Sequence, residues 1–257
     1  MGTIIAIVNQ KGGVGKSTTA GALCTGLTRK GYKTLLIEFE PQGNDQFSFK
    51  ADPKETGLLQ DLLQGHDLKN RIEHTAQGDI IAGDLSLSSI DVELYKKYGD
   101  SADKLYILKN GIKPLKKDYD FIIIDTPPAL NMLSTNALIS SDEVIVPTRA
   151  EAYGLQGIGQ LNKTMKALKG LNKDLHITGI LLTMYEGRTA LHTSTSASLR
   201  SVADMLDTKI FETPIRKCID IGNAQNERVD IYTYKHSSNA VKDYDAFIEE
   251  LLDTIKK

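Results

Sequence analysis

The chain has 257 residues, of which 40% are hydrophobic and 25% charged, so it is long enough to bury a sizeable core. The formal net charge of -2 excludes a generally basic nucleic-acid-binding protein, and any basic surface must be local. Its two cysteines, Cys24 and Cys218, lack the spacing of a disulfide framework or a cysteine metal site. No apolar run approaches the roughly 18 residues of a membrane span and no signal peptide precedes the first strand, which predicts a cytoplasmic protein.

The first predicted strand, residues 3–8, leads directly into a glycine-rich loop with the sequence KGGVGKST, and a helix over residues 18–29 is predicted to follow. Glycines in such a loop let backbone N–H groups point at an anion beside a helix N-terminus. Lys16 can reach the outer phosphates, and the Ser17 hydroxyl can ligate Mg²⁺. The sequence therefore predicts a nucleotide site made by Lys11, Gly12, Gly13, Val14, Gly15, Lys16, Ser17 and Thr18.

Lys11 departs from the usual phosphate-loop pattern. The pattern G-x-x-x-x-G-K-[ST] places a glycine at position 10, where this chain has Gln10 followed by Lys11. A triphosphate would offset the charge of this second lysine, either in the same subunit or across a dimer. A solvated loop lysine is the alternative, but the complete loop that follows favours a nucleotide.

Strands and helices alternate along the rest of the chain. Strands are predicted at residues 34–39, 79–82, 121–125, 143–147 and 177–184, with a short late one at 209–211, and helices at 58–63, 88–98, 132–139, 157–168, 195–206 and 239–255. This alternation predicts an α/β fold, a doubly wound and mostly parallel sheet with helices on both faces. No repeat or linker divides the chain, so one domain over residues 1–257 is predicted.

Carboxylates follow two of the predicted strands, at the edge where open parallel sheets bind ligands. Asp125 ends an apolar strand, as does the carboxylate that holds Mg²⁺ in phosphate-loop nucleotidases; a strand-end turn residue is the alternative. Glu38 and Glu40 lie on the same side of the backbone, where one could orient an attacking water. A solvated pair on a strand edge is the alternative for them.

Together these segments resemble the ParA/MinD/Soj group of deviant phosphate-loop ATPases, most closely the small ParA/Soj-type partition proteins. The resemblance covers nearly the whole chain and rests on residues 9–17 (NQKGGVGKS), 41–44 (PQGN), 122–128 (IIIDTPP) and 181–184 (LLTM). It implies a P-loop NTPase fold with ATP and Mg²⁺ as cofactors. It also implies catalytic roles for Lys11, Lys16 and Glu40 and metal ligation by Ser17, Asp125 and Glu38.

The resemblance implies partners as well. In this family the lysine at the position of Lys11 reaches the phosphates of the partner subunit, so that ATP controls homodimerisation. The dimer binds double-stranded DNA nonspecifically on the nucleoid, and a centromere-binding ParB-like protein stimulates hydrolysis and releases it. Arg188 and Arg216 are the suggested DNA contacts; for each, a surface charge or an ion-pair partner is the alternative. The chain has no N-terminal helix-turn-helix segment, so sequence-specific autorepression is not expected.

Glu38 and Glu40 depart from the family, which usually has aspartate at both positions. A misplacement of about 1 Å can cost on the order of 100-fold in rate, so slow, partner-stimulated hydrolysis is expected.

The alternative function is a MinD-like, ATP-switched positioning regulator acting through protein or membrane partners. Its membrane form needs a basic amphipathic C-terminal helix, whereas residues 243–257 carry five carboxylates and two lysines, so stable membrane association is not expected. A metabolic or kinase-type nucleotidase would need a second-substrate motif, and the sequence shows none.

Overall fold

A single sheet holds every strand of the part that the computed structural model describes, which is residues 2–43, 45–51, 54, 56–149, 154–187, 199–204 and 206–255. The strands are β1 (Thr3–Ile7), β2 (Thr34–Glu38), β3 (Glu73–Thr75), β4 (Gly78–Ile81), β5 (Phe121–Asp125), β6 (Glu143–Arg149) and β7 (His176–Thr183). Their order is β3-β4-β2-β5-β1-β6-β7. All these neighbours pair in parallel except β3 and β4, which are antiparallel.

Helices cover both faces of the sheet. They are α1 (Lys16–Arg29), α2 (Asp45–Phe49), α3 (Leu58–Gln64), α4 (Ile90–Tyr98), α5 (Ile107–Ile112), α6 (Met132–Ser140), α7 (Gly154–Leu168), α8 (Ile219–Asn226), α9 (Ile231–Tyr234) and α10 (Asn239–Ile255). Short 3-10 helices cover Leu68–Arg71, Leu85–Ser89 and Ala102–Leu105. Residues 199–204, within the predicted helix 195–206, are also helical.

The buried apolar side chains form two layers because strand residues alternate between the faces. From β1, Ile4 and Ala6 pack into the layer under α3 to α7, whereas Ile5 and Ile7 pack into the layer under α1 and α10. Strands buried on both faces have nearly continuous apolar sequences, as β1 and β5 do. The predicted α/β fold class is confirmed.

Three local features differ from the sequence prediction. The edge strand β3 was not predicted, because its sequence Glu-His-Thr has no apolar alternation. Residues 209–211 contribute one parallel bridge, Ile180 to Ile210, and no full strand. Strand β7 ends at Thr183 because Met184 has a φ of 50°, which an extended strand cannot continue.

None of the helices in these ranges combines the length and the apolar character needed to cross a membrane.

Candidate active site

The glycine-rich loop leaves β1 at the carboxyl edge of the sheet. Because β1 lies between β5 and β6, the loop occupies the switch point where a doubly wound sheet opens a crevice. Both neighbouring strands hold the end of β1. The Val8 N–H donates to Ile145 O at 3.0 Å, and the Thr126 hydroxyl donates to Ile7 O at 2.8 Å.

The loop conformation depends on glycine and on neighbouring strands. Gly13 and Gly15 have φ values of 68° and 82°, in the left-handed region where a side chain is strained. The Asn9 amide donates to Pro147 O at 2.7 Å and accepts from the Lys11 N–H at 3.0 Å. The Thr183 hydroxyl, at the end of β7, donates to Val14 O at 2.9 Å. Thr183 was not predicted as a site residue, although it belongs to the motif at residues 181–184, because that motif does not show which of its side chains contacts the loop.

Lys16, the first residue of α1, points back into the loop. It is only 7% exposed, and its ammonium donates to Lys11 O at 3.3 Å. Burial lowers the pKa of Lys16, while the carboxylates of Asp125 and Glu40 favour its charged form. The ammonium is therefore held beside the loop by a weak bond that a stronger acceptor can replace.

Asp125 ends β5 beside Ile7 of β1 and Glu38 of β2 in the strand register. It is fully buried, and neither of its carboxylate oxygens forms a hydrogen bond of ordinary geometry with a donor in the described part of the chain. Burial raises the pKa of Asp125 to about 7, and the nearby Ser17 hydroxyl and Lys16 ammonium act in the opposite direction.

Buried oxygen ligands without donors are what a hard divalent cation requires. The Asp125 carboxylate meets that requirement, and Ser17 lines the adjoining cavity with its hydroxyl. These two residues fit the predicted Mg²⁺ site.

Glu38 is fully buried rather than solvated. One carboxylate oxygen accepts a hydrogen bond from the Asp45 N–H at the start of α2, and the other accepts from the Gly83 N–H at 3.1 Å. Burial raises the pKa of Glu38 to about 7 against these two bonds. Glu38 therefore fixes the helix N-terminus to the sheet edge, and its metal role stays a prediction.

Glu40 lies in the turn after β2 and lines the cavity next to the loop. Its residue is 8% exposed, and one carboxylate oxygen accepts from the Gln42 N–H at 3.3 Å. The alternative of a solvated pair is wrong for Glu40 as well, because Glu40 is almost fully buried beside the cavity that Lys16 also lines.

The loop forms one wall of a cavity of about 840 Å³. The opposite wall comes from α8, from the segment between α8 and α9, and from the start of α9: Ile221, Ala224, Gln225, Arg228, Val229, Asp230 and Ile231. The Gln225 amide donates to the Thr18 hydroxyl at 3.1 Å and joins the two walls. This wall was missed by the sequence analysis because its residues carry no motif and reach the loop only through the fold.

Comparison with known proteins identifies the family. A family model described as an AAA domain matches residues 2–177. The chromosome-partitioning ATPase Soj of Treponema pallidum (strain Nichols) is 34% identical over 256 residues, which cover 98% of this chain and 98% of that protein. The chain belongs to the ParA/Soj family of partition ATPases. The resemblance inferred from the sequence motifs is confirmed.

Solved structures of nucleotide-bound proteins have the same fold as this chain. Cobyrinic acid a,c-diamide synthase from Mycobacterium smegmatis with bound ATP analog and magnesium has a TM-score of 0.85 and 29% identity, covering 100% of this chain and 96% of that chain. The septum site-determining protein MinD from Pyrococcus horikoshii OT3, complexed with Mg-ADP, has a TM-score of 0.78 and 26% identity, covering 100% and 99%.

The two arginines suggested by the ParA/Soj resemblance differ in what the structure shows. Arg188 lies outside the described residues. Arg216 pairs with Asp243 of α10, where its terminal nitrogen and a carboxylate oxygen are 2.6 Å apart. The Arg216 side chain remains 48% exposed, so the ion pair leaves a face of the guanidinium open to solvent. The backbone of Arg216 also forms an isolated parallel β-bridge with Tyr185, just after β7.

Proposed function

We propose that this ParA/Soj family member is an ATP-dependent dimerising ATPase that binds DNA nonspecifically and segregates plasmid, mobile-element or chromosomal DNA. The observation that carries this proposal is a cavity lined by the glycine-rich loop, Lys16 and Ser17, with the buried carboxylate of Asp125 close to both of these side chains. ATP and Mg²⁺ are the ligands of this site, and ATP hydrolysis is its reaction.

The loop backbone and Lys16 bind the phosphates. On binding, the Lys16 ammonium exchanges the Lys11 carbonyl, 3.3 Å away, for a phosphate oxygen, and this charge-assisted bond is the stronger of the two. Ser17 and Asp125 would hold Mg²⁺, which neutralises charge on the phosphates. Glu40 orients the attacking water and accepts a hydrogen bond from it.

Lys11 is the residue that couples ATP binding to dimerisation in this proposal. It begins the loop, and its own carbonyl already contacts Lys16 of the same subunit. We propose that the Lys11 side chain reaches the phosphates of a second subunit, so that ATP bridges the two protomers. ADP lacks the terminal phosphate that such a bridge needs, and it leaves the protein monomeric.

DNA binding follows from assembly in this proposal. The net charge of -2 does not favour DNA binding by a monomer, whereas a dimer brings two copies of Arg216, and of Arg188, to one surface. The ATP-bound dimer resides on the nucleoid and the ADP form in the cytoplasm. A ParB-like centromere-binding protein stimulates the slow hydrolysis and resets the cycle.

The structure of α10 argues against the MinD-like membrane alternative. Its apolar face is already in the core: Ala240, Val241, Tyr244, Phe247, Ile248, Leu251 and Leu252 are buried. A membrane-binding helix needs that face for lipid, with a basic polar side, and α10 offers neither.

Analytical ultracentrifugation of the wild type and Lys11→Ala, with ATP and with ADP, tests the proposal. The wild type should dimerise with ATP alone, and Lys11→Ala should bind ATP but stay monomeric. Lys30→Ala is the matched control, because Lys30 pairs with Glu249 away from the cavity. Normal ATP-dependent dimerisation of Lys11→Ala would refute the cross-subunit role. Cosedimentation with plasmid DNA and with anionic vesicles then separates the partition function from the membrane alternative.

A further inference from the structure

Asp45 is a buried carboxyl group that the proposed reaction does not use. It is the first residue of α2, is 6% exposed and lines the same cavity as Ser17. Its Oδ2 atom is buried and receives no hydrogen bond from any residue in the described ranges. A buried polar oxygen without a donor costs free energy, so this atom indicates a ligand that supplies one.

Asp45 lies on the face of α1 that carries Ser17. A Cβ atom added at Gly21 would be 3.4 Å from Asp45 Oδ1, which places this carboxyl directly over Gly21. Ser17 and Gly21 are four residues apart on α1, so they share one face of the helix with a spacing of about 5.4 Å per turn. The Asp45 carboxyl therefore lies about one helical turn along α1 from the position of Ser17.

Glu38 keeps Asp45 at this position. It accepts a hydrogen bond from the Asp45 N–H and lies opposite Asp125 in the register of β2 and β5. The Phe49 ring of α2 also packs beside Gly21, at 3.6 Å from the position of a Cβ atom there, which is an ordinary van der Waals distance. The Asp45 carboxyl thus lies beside Gly21 in the second turn of α1, and the Asp125 carboxyl lies near Ser17 in the first turn.

We propose that Asp45 is a further positioning residue of the Mg²⁺ site, whose carboxylate accepts a hydrogen bond from a water molecule bound to the ion. This inference rests on the proposed Mg-ATP site. One helical turn is too far for Asp45 to share the ion directly with Ser17, but it leaves room for one water. Mg²⁺ keeps several of its waters in protein sites, and acceptors that hold such ligands tune its affinity.

A Mg²⁺ titration of ATP binding in the wild type and in Asp45→Asn tests this inference. We expect the concentration of Mg²⁺ needed for half-maximal ATP affinity to rise about 10- to 100-fold in the variant, the usual effect of losing such an acceptor. ATP affinity in excess EDTA should not fall, because no phosphate contact is removed. Asp45→Ala should show the same shift, which covers the case in which the asparagine variant does not fold.

Asp61→Asn is the matched control. Asp61 is also buried, but it lies outside the cavity and its carboxylate accepts from the Arg71 guanidinium at 2.6 Å. Its Mg²⁺ dependence should equal that of the wild type. An equal shift in both variants, or a lower melting temperature of Asp45→Asn with an unchanged Mg²⁺ titration, would overturn the inference. Absence of any Mg²⁺ dependence in the wild type would instead overturn the proposed function.

Discussion

Lys16 is a buried charged residue, and burial of its ammonium without a strong acceptor costs free energy. Its ammonium is removed from water at a cost that the neighbouring carboxylates of Asp125 and Glu40 partly offset. In the proposed ATP complex, phosphate oxygens would replace the Lys11 carbonyl as its acceptor and offset the remaining cost.

We therefore expect Lys16→Ala to weaken ATP binding by about 1.5 to 3 kcal/mol, roughly 10- to 150-fold, because a hydrogen bond to a charged group is lost. Isothermal titration calorimetry measures this directly. Lys30→Ala removes the same charge outside the cavity and should bind ATP as the wild type does. Equal affinities of the wild type and Lys16→Ala would mean that the loop does not bind the phosphates.

The replacement of glutamate by aspartate can be tested at two nearby positions, Glu40 and Glu38. Glu40→Asp restores the family carboxylate, and we expect basal ATP turnover to rise, up to about 100-fold if the side chain is now displaced by about 1 Å. Glu38→Asp should give no such gain, because it withdraws the carboxylate from the N–H groups of Asp45 and Gly83. Phosphate release under steady-state conditions distinguishes the two. A fall in turnover for Glu40→Asp would show that glutamate is already well placed.

At the scale of single residues, the sequence predicted the phosphate loop and the carboxylate at the end of β5, because both belong to contiguous motifs. It did not predict Thr183 or Gln225, whose hydrogen bonds to Val14 and Thr18 span large sequence separations. It also missed the burial of Glu38 and Glu40, because the residues that cover them lie in other segments.

At the level of secondary-structure elements, an ion pair joins the first residues of β6 and β7, at the end of the sheet away from the cavity. His176 and Glu143 face each other in the register, with the imidazole Nε2 2.9 Å from a carboxylate oxygen. The hydrogen bond to Glu143 raises the pKa of His176 to about 9, and that bond together with one from Thr178 holds the pKa of Glu143 below its ordinary value.

This pair predicts a pH-dependent stability. The histidine contribution is complete below its unfolded pKa of about 6.5 and is lost as pH rises through about 9. The glutamate contribution is present above about 4.5 and is lost in acid. Because the His176 side chain is 57% exposed, we expect His176→Asn to cost about 0.2 to 1 kcal/mol at pH 6 and almost nothing at pH 10.

Urea unfolding of the wild type and His176→Asn at the two pH values checks this prediction. His74→Asn is a suitable control for loss of a surface imidazole, because His74 also contacts an aspartate but is 80% exposed. A difference between wild type and His176→Asn that is the same at both pH values would contradict the ionic origin of the effect.

At this scale the strongly periodic elements were the predictable ones. The apolar strands β1, β2 and β5 and the helix α10 match their predicted positions closely, since their patterns are long or unbroken. The five-residue helix α2 and the edge strand β3 are too short to show a period. Their positions depend on tertiary contacts such as the bond between Glu38 and the Asp45 N–H.

For the whole molecule, the proposed DNA surface gives a prediction about salt. Each phosphate that an arginine neutralises releases counterions, so binding should weaken steeply with salt. Arg216→Ala should weaken ATP-dependent binding on all DNA sequences and flatten the salt slope by about one unit per lost contact per subunit. ATP affinity should stay unchanged.

Two control variants sharpen that measurement. Asp243→Asn removes the carboxylate that pairs with Arg216 and should leave DNA affinity equal or higher, because the Arg216 guanidinium is then no longer neutralised by this ion pair. Arg29→Ala removes a cation that stacks on Tyr232 instead and should leave the slope unchanged. Equal DNA affinity with ATP and ADP, or an unaltered salt slope for Arg216→Ala, would contradict the proposed DNA surface and would favour a protein as the partner of the ATP-bound state.

The bonds from Thr183 to Val14 and from Gln225 to Thr18 have a consequence for protein synthesis. The phosphate loop emerges early from the ribosome, but Thr183 and Gln225 emerge more than 150 residues later. A nascent chain that ends before position 183 carries the complete motif without either support. A product truncated before residue 225 also lacks most of the facing wall, so its cavity is incomplete.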